Sequence, residues 1–130
     1  MKDHTELTKA EEQVMNILWK LGKGFIKNIV AGYPSPKPAY TTVATIINIL
    51  EKKGFVKREP MGNTNEYHPV ISKDKYTDGF LKRFVDKYFS SSYKNLVSSL
   101  SSREDMSTED MEEIVGLLQS KLKDKRKGTS

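Results

Sequence analysis

The stretch YTTVATIINILEKKGF, residues 40–55, decides how this chain folds. Val43, Ile46, Ile47 and Leu50 recur at helical spacing and predict an amphipathic helix with its apolar stripe on a core. Thr41 or Thr42 is expected to cap its start, and Lys52, Lys53 and Gly54 to close its end. The face opposite the stripe carries Thr42, Thr45 and Asn48, where a solvated helix usually carries Glu, Lys and Gln. Short side chains at the start of a helix let its backbone approach base edges in a DNA major groove, and hydroxyl, methyl and amide groups suit what the bases present there. Plain solvation would also tolerate this face, so its place in the chain has to separate the two readings.

Upstream, Thr8 stands three residues before Glu11, the spacing of a capping box, and predicts a first helix with a stripe of Leu7, Ala10, Val14, Ile17, Leu18 and Leu21, stopped at Gly22. Met15 and Trp19 fall off that stripe and are expected to touch a second neighbour. Phe25, Ile26, Ile29, Val30 and Tyr33 predict a short second helix ended by Gly32 and Pro34, and Pro34, Pro36 and Pro38 mark a connection. Downstream, FVKREPMGNTNEYHPVI reads as a hairpin turning within PMGNTN, with Pro69 ending the second strand or holding it at an edge. Three helices followed by a hairpin is the order of a winged helix, and the third helix is the one that reads DNA in such domains.

The rest of the chain is helical again. Tyr76, Phe80, Leu81, Phe84, Val85, Tyr88 and Phe89 spread over more than half of a helix circumference, more than a small domain can cover. A short segment with Leu96, Val97 and Leu100 follows, and then a last helix with a stripe of Met111, Ile114, Val115, Leu118 and Leu122. The expected fold is mainly α with a small β-hairpin wing: a winged helix-turn-helix domain over residues 1–71 and a helical region over 72–130.

Composition narrows the function. The net charge of +5 mildly favours an anionic partner, and the absence of cysteine rules out disulfides and thiolate metal sites. No signal peptide is visible and no run approaches the ~18 apolar residues of a membrane span, so a cytoplasmic protein without membrane insertion is expected. His4 and His68 have no partner at ligand spacing, and Glu11 with Glu12, Glu104 with Asp105, and Glu112 with Glu113 are expected on exposed helix faces. No metal, cofactor or enzymatic activity is therefore expected, and no phosphate loop or nucleophile elbow is present. Candidate DNA contacts are Tyr40, Thr41, Thr42, Ala44, Thr45 and Asn48 on the third helix, with Lys52 and Lys53 at its end. Lys57, Arg58, Asn63, Thr64 and Asn65 of the hairpin are candidates for the DNA backbone or minor groove, and Lys23, Lys27 and Lys37 are weaker ones. A different class of function, a winged-helix module that docks on another protein without sequence-specific DNA binding, would use the same face.

LTKAEEQVMNILWKLG, YTTVATIINILEKKGFVKRE and EYHPVIS, in this order and spacing, resemble the penicillinase repressor family of BlaI, MecI and CopY, over about residues 6–118. The resemblance implies a homodimer that represses transcription by occupying a palindromic double-stranded DNA operator through the third helix and the wing. It assigns dimerisation to the apolar positions from Tyr76 to Phe89, to Leu96, Val97 and Leu100, and to the stripe from Met111 to Leu122. Three departures stand out. Ile49 occupies a place where the family commonly has Arg; the cysteines of the copper-responsive branch are missing; and the Asn-Phe bond cut in the β-lactam-responsive branch corresponds to Ser99-Leu100. Release by a membrane metalloprotease sensor would have to act at that bond.

Overall fold

Thr8 and Glu11 start α1 (Lys9–Leu21) in the computed structural model, which describes residues 6–128. The Glu11 N–H donates to Thr8 Oγ1 at 3.2 Å and the Thr8 N–H to Glu11 Oε1 at 2.9 Å, so two amides left free by a helix start satisfy each other's side chains. The buried face of α1 is Glu11, Val14, Met15 and Leu18, while Ala10 and Leu21 of the expected stripe stay exposed. The face is turned toward Met15 because α1 does have a further neighbour on that side. Trp19 donates its ring N–H to the Ile71 carbonyl at 2.8 Å and lies 5.8 Å from the Tyr76 ring.

In α2 (Ile26–Ala31), Ile26 and Ile29 enter the core, and the Phe25 N–H donates to Asn28 Oδ1 at 2.9 Å. Gly32 does more than end this helix: a Cβ there would lie 2.5 Å from Ile17 Cγ2, so only glycine lets α2 come this close to α1. α3 (Tyr40–Lys53) starts ahead of both expected caps, with Ala39 at the cap position and no side-chain cap. Val43, Ile47 and Leu50 are fully buried and Ile46 is half-buried against the core, as the stripe predicts. Gly54, at φ 87° and ψ 14°, takes the left-handed conformation that closes α3 and drops the fully buried Phe55 into the core.

β1 (Val56–Met61) and β2 (Thr64–Pro69) pair antiparallel, with Lys57 opposite His68, Glu59 opposite Glu66 and Met61 opposite Thr64 on one face. Pro69 is the last residue of β2, as expected. The other edge of β2 is not free, since Gly24 exchanges two backbone hydrogen bonds with Tyr67, at 3.0 and 2.7 Å.

The chain divides into two compact units, up to Leu81 and from Lys82 onward, so the boundary falls inside α4 (Lys73–Tyr88), ten residues beyond the expected 71/72 division. The first unit keeps the start of α4 because Tyr76 belongs to its core. The Tyr76 hydroxyl accepts the Leu7 N–H at 2.8 Å and its ring meets Phe55 edge-on. Tyr76, expected at a dimer interface, is thus occupied within its own chain.

The second unit holds the end of α4, α5 (Tyr93–Ser101) and α6 (Thr108–Gly128). Ser92 caps α5, and Ser107 and Asp110 cap α6 reciprocally. Phe84 packs on Tyr88 and Phe89, and Val85 is 1% exposed, so Val85 too is withdrawn from any partner. Phe84, Phe89, Leu96 and Met111 are half-buried, whereas Tyr88, Val97, Leu100, Ile114, Val115, Leu117, Leu118 and Leu122 are exposed.

Glu11, expected in solvent, is instead buried, and its Oε1 also accepts the Lys53 ammonium at 2.8 Å. Burial alone would raise this carboxyl; the hydrogen bond from Lys53, the Thr8 amide and the Lys53 charge outweigh it and hold the group below its ordinary value of 4.5. The folded state therefore favours the carboxylate, and the resulting stabilisation is complete above pH 4.5 and fades as pH falls through the lowered value. Glu11→Gln is expected to cost about 2 kcal/mol at neutral pH and less below pH 4. Urea unfolding at both pH values checks this; an equal loss at the two would contradict it.

Candidate nucleic-acid interface

The outward face of α3 is built by exclusion. With Val43, Ile47 and Leu50 buried, Thr41, Thr42, Thr45, Asn48, Ile49 and Lys52 are left in solvent, with Tyr40 at the helix start. Ala44 is half-buried against the core and presents less surface than expected. Because α3 begins at Tyr40, Thr41 and Thr42 sit in its first turn and are not spent as caps. The Tyr40 and Thr41 amides have no partner among the described residues, so the start of α3 offers N–H groups and a positive dipole end to an anion. The Thr45 hydroxyl donates to the Thr41 carbonyl at 3.0 Å, which fixes its rotamer and leaves the oxygen free to accept. An accepting oxygen beside a methyl suits a base amino group or a thymine methyl.

The cations around this face fall into two groups. Lys52 and Lys57 are exposed and without partners among the described residues. Lys53 is tied to Glu11, and Arg58 grips Glu51 through Nε at 3.0 and 3.2 Å and Nη2 at 2.7 Å. The Arg58 hydrogen bond is the main reason that the Glu51 carboxyl lies below its ordinary range. Lys37 is withdrawn as well, since its ammonium donates to the Ala31 and Tyr33 carbonyls at the end of α2. Lys23 stands 3.9 Å from Glu66.

The hairpin turn is formed around Gly62, with Asn63 and Thr64 exposed and Asn65 half-buried. Thr64 lines a cleft of about 220 Å³ together with Phe25, Lys27 and Tyr40, which brings the start of α2, the start of α3 and the hairpin to one place. Phe25 was expected only as a core residue, and its role here had no periodic signal. His68 does have partners: its Nε2 lies 3.0 Å from Glu66 Oε1 and 3.5 Å from Glu59 Oε1. Strand register, legible in principle from the hairpin, is what brings these three together. Ser99 and Leu100 lie in α5, and the basic end of α6 is exposed. Among the described residues no helix is long and apolar enough to cross a membrane.

Residues 7–120 match the Penicillinase repressor family. The methicillin resistance regulatory protein MecI of Staphylococcus aureus (strain N315) is 28% identical over 117 residues, covering 89% of this chain and 95% of that protein. The penicillinase repressor of Staphylococcus aureus is 29% identical over 114 residues, covering 87% of this chain and 90% of that protein. Among solved structures, the monomeric form of Bacillus licheniformis BlaI in complex with the blaP half-operator shares 25% identity at a TM-score of 0.48, over 58% of this chain and 94% of that one.

Glu51 occupies the Arg58 guanidinium that a DNA phosphate would need. Glu51→Gln is therefore expected to steepen the fall of log affinity for duplex DNA with log salt by about one unit, with little change in thermal midpoint. Binding titrations across a salt series measure this, and an unchanged slope would show that Arg58 does not reach DNA.

Proposed function

The chain belongs to the penicillinase repressor family, and from that premise we propose that it is a cytoplasmic, dimeric repressor that occupies a palindromic operator. The exposed Thr42, Thr45 and Asn48 face of α3, at the uncapped start of a helix held by three buried residues, supports this most directly. In this mechanism the Tyr40 and Thr41 amides meet a phosphate and fix the depth of α3 in the major groove. Thr42, Thr45 and Asn48 then read base edges. Lys52, Lys57 and the tip residues Asn63 and Thr64 hold the backbone and set register without selecting sequence. Repression follows from occupancy, which denies the site to polymerase; no catalytic group is involved.

Dimerisation uses the exposed apolar positions of the second unit, above all Leu118, which is 54% exposed, with Ile114, Val115 and Leu122 of α6 and Val97 and Leu100 of α5. So much apolar surface on adjacent turns is what a second copy would cover. Two α3 helices about 34 Å apart then enter successive major grooves on one side of the duplex. Release by a membrane protease at Ser99-Leu100 would require α5 to unwind first, because a protease binds its substrate extended and this bond is helical.

One observation favours a second reading. Ile49 is 41% exposed beside Thr45, and an apolar side chain there suits a protein partner better than a base or phosphate. Docking on a protein predicts DNA binding without sequence preference, lost by physiological salt.

Selection from random duplexes at moderate salt separates the two, and failure to enrich any palindrome would sink the repressor reading. On the selected site Asn48→Ala is expected to cost about 1–3 kcal/mol, while Lys57→Ala should weaken all sequences alike and lower the salt slope by about one. Leu118→Glu is expected to give a monomer in sedimentation and roughly hundredfold weaker operator binding, by loss of the second half-site.

A further inference from the structure

Glu59, Glu66 and His68 take no part in the DNA contacts proposed above, yet the hairpin gathers them on one face. Glu59 and Glu66 are directly opposite in the strand pairing, and His68 follows Glu66 by two residues, on the same side. Like charges in this position oppose strand pairing, and Glu66 is only 8% exposed, so water screens it poorly. Among the described residues one lysine is bridged to the group: Lys23 reaches Glu66 at 3.9 Å from a side chain that is 62% exposed. The centre of the cluster is left to the His68 Nε2, at 3.0 Å from one carboxylate oxygen and 3.5 Å from the other, with all three groups able to bring a ligand atom within 4.8 Å of the rest.

We propose that Glu59, Glu66 and His68 bind a divalent transition-metal ion of the zinc class. Ligands held about 2.0–2.1 Å from a tetrahedral ion stand roughly 3.4 Å apart, and the two separations from Nε2 bracket that value. One imidazole nitrogen with two carboxylates suits zinc, cobalt or manganese and disfavours calcium and magnesium, which prefer oxygen alone. Three protein ligands leave a position open to water. The ion also has a consequence that rests on the DNA-binding reading. It cancels two negative charges on the hairpin face that carries Lys57 and Thr64, within a Debye length of both, and so strengthens DNA binding for all sequences alike.

Zinc and cobalt titrations of the full chain at pH 7.5, followed by calorimetry without DNA, test the site. One ion per chain is expected, with binding weakened at least tenfold in Glu59→Gln and in His68→Gln and retained in His4→Ala, a position outside the described residues. Thermal melts establish that the variants fold; Glu59 is exposed, so its variant keeps the test decisive if His68→Gln does not fold. Absence of saturable binding, binding unchanged in Glu59→Gln, or binding lost in His4→Ala would overturn the site. Zinc should raise affinity for a random duplex several-fold in the wild type and not in Glu59→Gln, and no rise would overturn the coupling. If the chain binds metal but no DNA at all, the DNA reading fails and the metal site stands.

Discussion

One buried carboxylate, Glu11, sets the frame in which α3 is held. It accepts the Thr8 amide at the start of α1 and the Lys53 ammonium at the end of α3, at 2.9 and 2.8 Å. An ionised group taken out of water is tolerable only with such partners, so wherever the fold forms, these two helix ends must meet. Val14, Met15 and Leu18 of α1 lie in one core with Val43, Ile47 and Leu50 of α3, which leaves little freedom for α3 to roll. The direction of the Thr42, Thr45 and Asn48 face is thus a result of packing on the opposite side.

The same constraint divides the positive charge. The formal excess is +5, but Lys53, Arg58 and Lys37 are engaged by Glu11, Glu51 and backbone carbonyls. These pairs are not equivalent. In the first the Glu11 carboxylate is buried and Lys53 is half-buried, whereas Arg58 and Glu51 are a partly exposed pair in which a phosphate can take the place of Glu51. The surface around α3 therefore presents fewer unpaired cations than a residue count suggests, and exposed Thr and Asn side chains, with the Tyr40 and Thr41 amides, make up more of it.

Much of the architecture was legible because periodicity and capping chemistry are local. The Thr8 and Glu11 box, the Val43 to Leu50 stripe, the Gly54 stop and the hairpin each follow from residues within a few positions of one another. The features that escaped are those with no local signature. Glu11 next to Glu12 reads as solvated until Lys53, far away in sequence, is placed beside it. Tyr76 reads as one more residue of an uncovered apolar face until Trp19, Phe55 and the Leu7 amide claim it. The pairing of Gly24 with Tyr67 is a single bridge, too short for any alternation to announce. His68 appears alone in the sequence and acquires Glu59 and Glu66 through strand register.

The sequence by itself determined the order of elements, the fold class and which face of α3 is polar, since these depend on side-chain spacing along one helix or strand. The match to the penicillinase repressor family extends over residues 7–120. Only the tertiary structure decided which charges are paired: Lys53 and Arg58 are bridged to Glu11 and Glu51 while Lys52 and Lys57 have no partner among the described residues, and nothing in KKGFVKR distinguishes them. The reason is physical. Whether a charge is spent depends on what lies within a few ångströms of it, and that neighbourhood is assembled from distant parts of the chain.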